Sequence, residues 1–204
     1  MNSIWEKSIT HGEILSRIWK SLTLGAKDRR HAFHNPVFGT LGIDGRPKLR
    51  TVILRRYLND ERKLVFHTDI RARKIDQIKA EPNIEWLFYD AKNKLQLRVE
   101  ATANVLMDGE LYETQWENTQ LLSRRCYMGE KPSGVSQKAT SGMPEEIIKK
   151  QPELEESEVG KQNFAVVTTR INSIDCLELD FLGNRRSFFF WNESGELETK
   201  WLTP

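Results

Sequence analysis

Three cations stand close together in the stretch DIRARKIDQIKAEPN: Arg71, Arg73 and Lys74. The spacing predicts a helix over 69–80, with Asp69 as its N-cap, Ile75 and Ile78 facing inward and Pro82 ending it. The start of a helix is the partly positive end of its dipole, so bases there are unfavourable unless an anion compensates them. The free N–H groups of the first turn are themselves phosphate donors, arginine adds a planar fork, and lysine adds a point charge. The chemistry predicted is anion binding. The bland alternative is a solvated basic patch, since exposed charges cost little. Arg50 strengthens the first reading. It lies a short strand and turn ahead of the helix, and His67-Thr68-Asp69 leads directly into it. Arg50, Arg73, Lys74 and the helix end then form one constellation for a phosphate. Residues 50–56, RTVILRR, read as a strand with a guanidinium at each end. Residues five apart on a strand point to opposite faces, so Arg50 and Arg55 grip different groups unless a bulge intervenes.

Other residues offer weaker chemistry. KLQLRVEATA (94–103) alternates, with Leu95, Leu97 and Val99 on one face and Gln96, Arg98 and Glu100 on the other. Gln96 could present its amide to a planar heterocycle, or simply face solvent. His31 and His34 have a loose metal-like spacing that no further Cys, His or acid cluster completes, so no metal is expected. Ser123 and Ser133 lack a His/Asp setting that would make either a nucleophile. Neither GxGxxG nor GxxxxGK[ST] occurs, which argues against a Rossmann or P-loop site. The aromatics of SFFFWN (187–192) read as core or interface.

The elements that must position these residues follow from the pattern. Ile14, Leu15, Ile18, Trp19 and Leu22 share one face of an amphipathic helix over 12–26. Residues 36–58 read as two strands joined at Asp44-Gly45, 63–69 as a third strand, and 84–106 as a second hairpin turning near Lys92-Asn93. Residues 108–127 are helical in pattern, 129–144 form a loop rich in Gly, Ser and Pro, and 144–160 read as a charged, solvated helix. The last strands lie after residue 162. A run of antiparallel strands with helices around it predicts a mainly β fold, a closed or nearly closed β-barrel with flanking helices. The chain has 204 residues, 38% hydrophobic and 29% charged, with a net charge of +2, which fits a globular protein and gives no general pull toward nucleic acid. No apolar run approaches the roughly 18 residues that span a bilayer. The N-terminus has no apolar signal segment, and Cys126 and Cys176 read as free thiols of a cytoplasmic protein.

RTVILR, LVFHTD, ARKIDQI and LQLRVEA, in that order and with GEKPSG and a terminal WLTP after them, resemble the pyridoxamine 5′-phosphate oxidase family of FMN-binding split barrels. The resemblance covers 30–140 well and 163–204 more loosely. It implies an antiparallel Greek-key split barrel, with residues 1–204 as one domain, 1–30 an N-terminal helical segment and 108–160 a helical excursion and loop. It implies FMN at the interface of a homodimer. By position, the stretch Arg50, Thr51, Val52, Leu54 and Arg55 would line the cofactor, with His67 and Thr68 at the flavin or ribityl chain. Arg73 and Lys74 would bind the FMN phosphate, and Gln96 would meet the isoalloxazine edge. Ser133 would reach in from the second subunit, and one of Arg185 and Arg186 would approach the pyrimidine side. Arg55 takes the place of a lysine that meets the substrate phosphate in the oxidase, and Ser123 matches a substrate-contacting serine; no catalytic side chain is assigned.

The sequence also departs from the oxidase. Gln115 or Trp116, and Thr119, stand where the oxidase has the tyrosine and arginine of its phosphate clamp. Leu177 replaces a flavin-packing tryptophan, and the late R-L-H motif has no counterpart in LGNRRSFFFW. The resemblance therefore implies an FMN-dependent oxidoreductase acting on a small anionic substrate. Its alternatives are pyridoxine/pyridoxamine 5′-phosphate oxidation with a divergent clamp, or flavin binding without turnover.

Overall fold

A computed structural model describes residues 3–5 and 8–204; residues 1, 2, 6 and 7 of the N-terminal segment lie outside the described residues. Helix α1 (His11–Lys27) opens with a reciprocal capping box between Thr10 and Glu13, which satisfies donors at its free end. Ile14, Ile18 and Leu22 recur every fourth residue and are buried against the sheet. The expected strands follow: β1 (Val37–Leu41), β2 (Pro47–Thr51), β3 (Arg56–Leu58) and β4 (Lys63–Asp69). After α2 (Arg73–Ala80) come β5 (Asn83–Asp90) and β6 (Leu95–Leu106), then α3 (Glu110–Glu117) and, after the excursion, β7 (Phe164–Glu178), β8 (Arg185–Trp191) and β9 (Leu197–Leu202).

All pairings are antiparallel, and the nine strands run β2-β1-β5-β6-β7-β4-β3, with β8 and β9 added on β7. β2 and β3 are neighbours in sequence but stand at opposite ends of that path. Only Val52–Arg55 joins them, so the sheet must curl until its ends meet. This corrects the reading of RTVILRR as one strand. The Val52 and Leu54 N–H groups donate to Pro36 and His34 carbonyls, whereas the Arg55 N–H donates to Val65 O, so the chain changes partners within four residues. The barrel interior is filled by Phe38, Phe66, Trp86, Phe88, Leu97, Val99 and Val167, all completely buried. A second, smaller cluster lies outside the barrel wall, where Val65, Phe164 and Val166 meet Tyr112, Trp116 and Tyr127 of the excursion.

Residues 108–127 are helical, as expected, in three pieces: α3, a four-residue helical turn at Leu121–Arg124 and a 3-10 turn at Arg125–Tyr127. The expected helix over 144–160 needs correction. Residues 144–160 form only the turns Glu145–Ile148 and Leu154–Ser157 and part of the 3-10 stretch Glu158–Asn163. Pro152 lies between the two turns and is incompatible with a continuous helix. No helix among the described residues is long and apolar enough to cross a membrane, and both cysteines are free.

Candidate functional site

The predicted anion site is built on α2, but not as the spacing suggested. The helix begins at Arg73, and its N-cap is Ala72 with no side-chain cap. Asp69 is the last residue of β4, and its carboxylate is taken by Arg71: the Arg71 N–H and guanidinium both donate to it, with a 2.7 Å ion pair. Arg71 therefore stands outside the helix and its charge is matched. Its Nη2 also donates to the carbonyls of Gly129 and Glu130, at 3.0 and 3.4 Å. It fastens the neck of the 129–142 loop, which closes through a 2.7 Å bond from Glu130 N–H to Gly142 O.

Arg50 and Lys74 do come together. Arg50 donates to Thr40 Oγ1 at 2.7 Å, to Gln77 Oε1 at 2.9 Å and to Phe38 O at 3.3 Å. Thr40 also donates to Gln77 Oε1 at 2.7 Å, so a buried Thr–Gln pair aims the guanidinium. Lys74 Nζ donates to the buried Thr68 hydroxyl at 2.9 Å. All of these partners are neutral. Burial, and after it the Arg50 charge, lowers the Lys74 pKa, against a smaller opposing effect of Asp69. Two half-buried cations thus face each other, and the one acid that acts on them is already held by Arg71. Arg73, exposed on the first turn, has no ion pair among the described residues. Such a group of cations fits a phosphate, the more so because Ala72 leaves the first N–H groups of α2 without a side-chain cap.

The lining stretch runs from exposed Thr51 through Val52 to buried Leu54 and half-buried Arg55. The Arg55 guanidinium makes no hydrogen bond or ion pair among the described residues. His67 Nε2 lies 3.2 Å from Gln115 Oε1, and its ring meets Phe164 edge-on. Burial and, secondarily, the Arg55 charge pull the His67 pKa down to about 4, so the imidazole is neutral at physiological pH. Gln96 is half-buried on the outer face, in one row with Tyr89, Leu177 and Arg186.

Other predicted residues are placed differently. Arg185 is buried, paired with Glu178 at 2.7 Å, bonded to Ile4 O and stacked over Trp5, so its charge is consumed within the fold. Arg186 pairs with Asp175 at 2.6 Å and keeps part of its surface. Ser133 lies in the exposed loop with a φ of 65°, and Ser123 is half-buried with no side-chain hydrogen bond among the described residues. His31 and His34 serve the backbone: His31 Nδ1 accepts from Phe33 N–H, and His34 Nδ1 lies 2.7 Å from Gly25 O. A groove of about 600 Å³ lies on the outer face of β1, β2, β5 and β6, where Val37, Leu49 and Leu87 sit beside Glu85, Arg98 and Glu100. It is not the cation pair. Leu49 there is 72% exposed, Leu41 43% and Leu87 37%.

Thr40, Gln77 and Tyr127 escaped the sequence reading. Gln77 alone left a signal, as a polar residue beside the inward-facing Ile78 of a short helix.

The fold is an antiparallel barrel with a group of cations suited to a phosphate at the start of one helix. Residues 16–107 match the family described as pyridoxamine 5′-phosphate oxidase, FMN-binding domain. The chain is 26% identical over 195 residues to pyridoxine/pyridoxamine 5′-phosphate oxidase 2 of Arabidopsis thaliana, covering 91% of this chain and 94% of that one. A 67-residue stretch is 45% identical to the Rubrobacter xylanophilus oxidase, covering 33% of this chain and 30% of that one. Among solved structures, a pyridoxamine 5′-phosphate oxidase-related, FMN-binding protein of Nostoc punctiforme superposes with a TM-score of 0.68 at 20% identity, over 97% of this chain and 100% of that chain. PhzG of Burkholderia lata, in complex with tetrahydrophenazine-1-carboxylic acid, gives 0.66 at 12% identity, over 98% and 95%. Over residues 16–107 the chain thus matches the FMN-binding domain of the pyridoxamine 5′-phosphate oxidase family, whose cofactor is FMN, and its fold is that of the FMN-binding split barrels.

Proposed function

We propose that this protein is an FMN-dependent oxidoreductase acting on a small anionic substrate, with the whole chain, 1–204, as one cofactor-binding domain. The observation that carries the reading is the Arg50–Lys74 pair, two half-buried cations with neutral partners. Arg50, Arg73, Lys74 and Thr68 hold the FMN phosphate. Thr51, Val52, Leu54 and the backbones of Arg55 and His67 line the flavin, and the Gln96 amide faces its edge. When bound, FMN supplies the two-electron redox chemistry, so no acid–base side chain of the chain is required for it. The protein's part is to hold the phosphate, exclude water with the packed lining of the crossover, and orient the substrate through Arg55 and Ser123. The protein acts as a homodimer. Leu41, Leu49 and Leu87 on the outer face supply an apolar surface for a second copy, and Ser133 and Arg186 complete the partner's cofactor site.

Oxidation of pyridoxine or pyridoxamine 5′-phosphate, the reaction named for the Arabidopsis relative, is the second reading, favoured by the near full-length match. The clamp positions speak for the broader one: Gln115 is committed to His67, and the Thr119 hydroxyl is turned back onto Gln115 O at 2.7 Å.

The test is a visible absorption spectrum of the purified protein, as isolated and after FMN addition and desalting, followed by anaerobic bleaching with a donor panel that includes NADPH and pyridoxamine 5′-phosphate. A retained, structured flavin band that some donor bleaches is expected. A retained flavin that no donor reduces leaves a flavin-binding protein and removes the enzyme reading. Failure to retain FMN removes the cofactor site.

A further inference from the structure

Arg55 is a further half-buried cation without an ion pair among the described residues, placed differently from Arg50 and Lys74. Arg55 leaves the crossover with its N–H on Val65 O at 2.8 Å, which sets it at the edge of the outer cluster. Tyr127 reaches the same cluster from the 3-10 turn. Its ring packs edge-on against Phe164, with centroids 5.0 Å apart, and the His67 ring packs against that same Phe164 at 4.9 Å. Phe164 therefore holds His67 and Tyr127 side by side. The Tyr127 ring is buried, but its hydroxyl makes no hydrogen bond among the described residues and is not sealed from solvent. The Arg55 charge acts on both neighbours, opposing the upward push of burial on Tyr127 and reinforcing the downward push on His67. Two other groups act on Tyr127, the exposed Cys126 thiol and Asp69, whose carboxylate is bound to Arg71. The groups facing this spot are thus one guanidinium, one free phenol, a thiol and a neutral imidazole bonded to Gln115.

We propose that Arg55 and Tyr127 form a carboxylate subsite, with the guanidinium as charge partner and the phenol as second donor, and that the substrate is a carboxylic acid. This deepens the oxidoreductase reading and rests on it only for the placement beside the flavin. The charge count selects the anion. Arg50, Arg73 and Lys74 give three cations to a phosphate dianion. Here there is one, because His67 adds no charge, and a single fork matches the two oxygens of a carboxylate monoanion.

Two probes of the same shape separate the alternatives: benzoate and phenyl phosphate, titrated calorimetrically into the protein at a pH above the second phosphate ionisation near ~6. Flavin content is read by absorbance on every sample. Benzoate is expected to bind at least about tenfold more tightly than phenyl phosphate. Tyr127→Phe should weaken benzoate about tenfold with flavin content unchanged, and Arg55→Met should abolish it. Arg55→Lys, which keeps the charge without the fork, should bind weakly and guards against misreading a folding defect in Arg55→Met. Equal or tighter binding of phenyl phosphate overturns the carboxylate assignment, and so does benzoate binding indifferent to Tyr127→Phe. A flavin-loaded protein that ignores benzoate overturns the subsite alone. A flavin-free protein whose benzoate binding needs Tyr127 keeps the subsite and removes the cofactor reading.

Discussion

Two regions of this barrel are rich in arginine, and they are opposite in kind. Along β7 and β8, Arg17 and Arg185 share Glu178, at 3.0 and 2.7 Å, while Arg98 and Arg186 share Asp175. Each of these four cations is matched to a carboxylate. At the start of α2, Arg50 and Lys74 are half-buried and held by a threonine, a glutamine and another threonine, none of which carries charge. The first arrangement ties strands and the N-terminal segment together. The second leaves positive charge that only a ligand can balance. An arginine is therefore informative about function less by its presence than by the absence of its acid.

The largest expected effect breaks the structural half of that contrast. Glu178→Ala strands the buried Arg185 and should destabilise the fold by about 3–5 kcal/mol. Urea unfolding should show it, with FMN affinity of the remaining folded protein unchanged. A loss of affinity without a loss of stability would place Glu178 in the cofactor site instead. Next comes acid sensitivity on the other side. His67 titrates near 6.5 when unfolded but is held down to about 4 in the fold. Unfolded chains therefore take up the proton first as pH falls, and stability that is complete above 6.5 is lost between 6.5 and 4, by about 3 kcal/mol. His67→Gln should flatten that limb of the stability–pH curve; an unchanged limb would assign the acid sensitivity to other groups. The smallest effect sharpens the boundary between the regions. Arg71→Lys keeps a positive charge beside Asp69 but loses the fork that reaches the Gly129 and Glu130 carbonyls, and should cost about 1 kcal/mol, seen as faster proteolysis within the loop while anion affinity at the start of α2 is unchanged. Unaltered cleavage would mean that Arg71 does not fasten the loop.

Much of this was legible in the sequence. The capping box and the four-residue spacing of Ile14, Ile18 and Leu22 mark α1, and Asp44-Gly45 marks the first hairpin, with Gly45 at a φ of 71°. The Arg50–Lys74 pairing was also legible, because three cations clustered at a helix start behind a strand that carries an arginine form a local pattern. The crossover at 52–55 was not. Thr-Val-Ile-Leu has every local preference of a strand, and what breaks it is closure of the barrel, a long-range demand. The Asp69 cap failed for a similar reason: a residue two places on, Arg71, competes for the same carboxylate. Arg185 and Arg186 look alike in sequence, and alternation along β8 makes one buried and one half-exposed. Tyr127 left no signal, since its site is assembled from the excursion, β4 and the crossover.

The central claim is that the cations at α2 recognise a phosphate, and the most direct measurement compares FMN with riboflavin, which differs by that group alone. Quenching of flavin fluorescence by the protein gives both affinities, for wild type and Lys74→Met. The account predicts that wild type prefers FMN by about a hundredfold or more, and that Lys74→Met narrows the gap by about tenfold while leaving riboflavin affinity in place. Equal affinity for the two flavins in wild type, or a gap untouched by Lys74→Met, would contradict it.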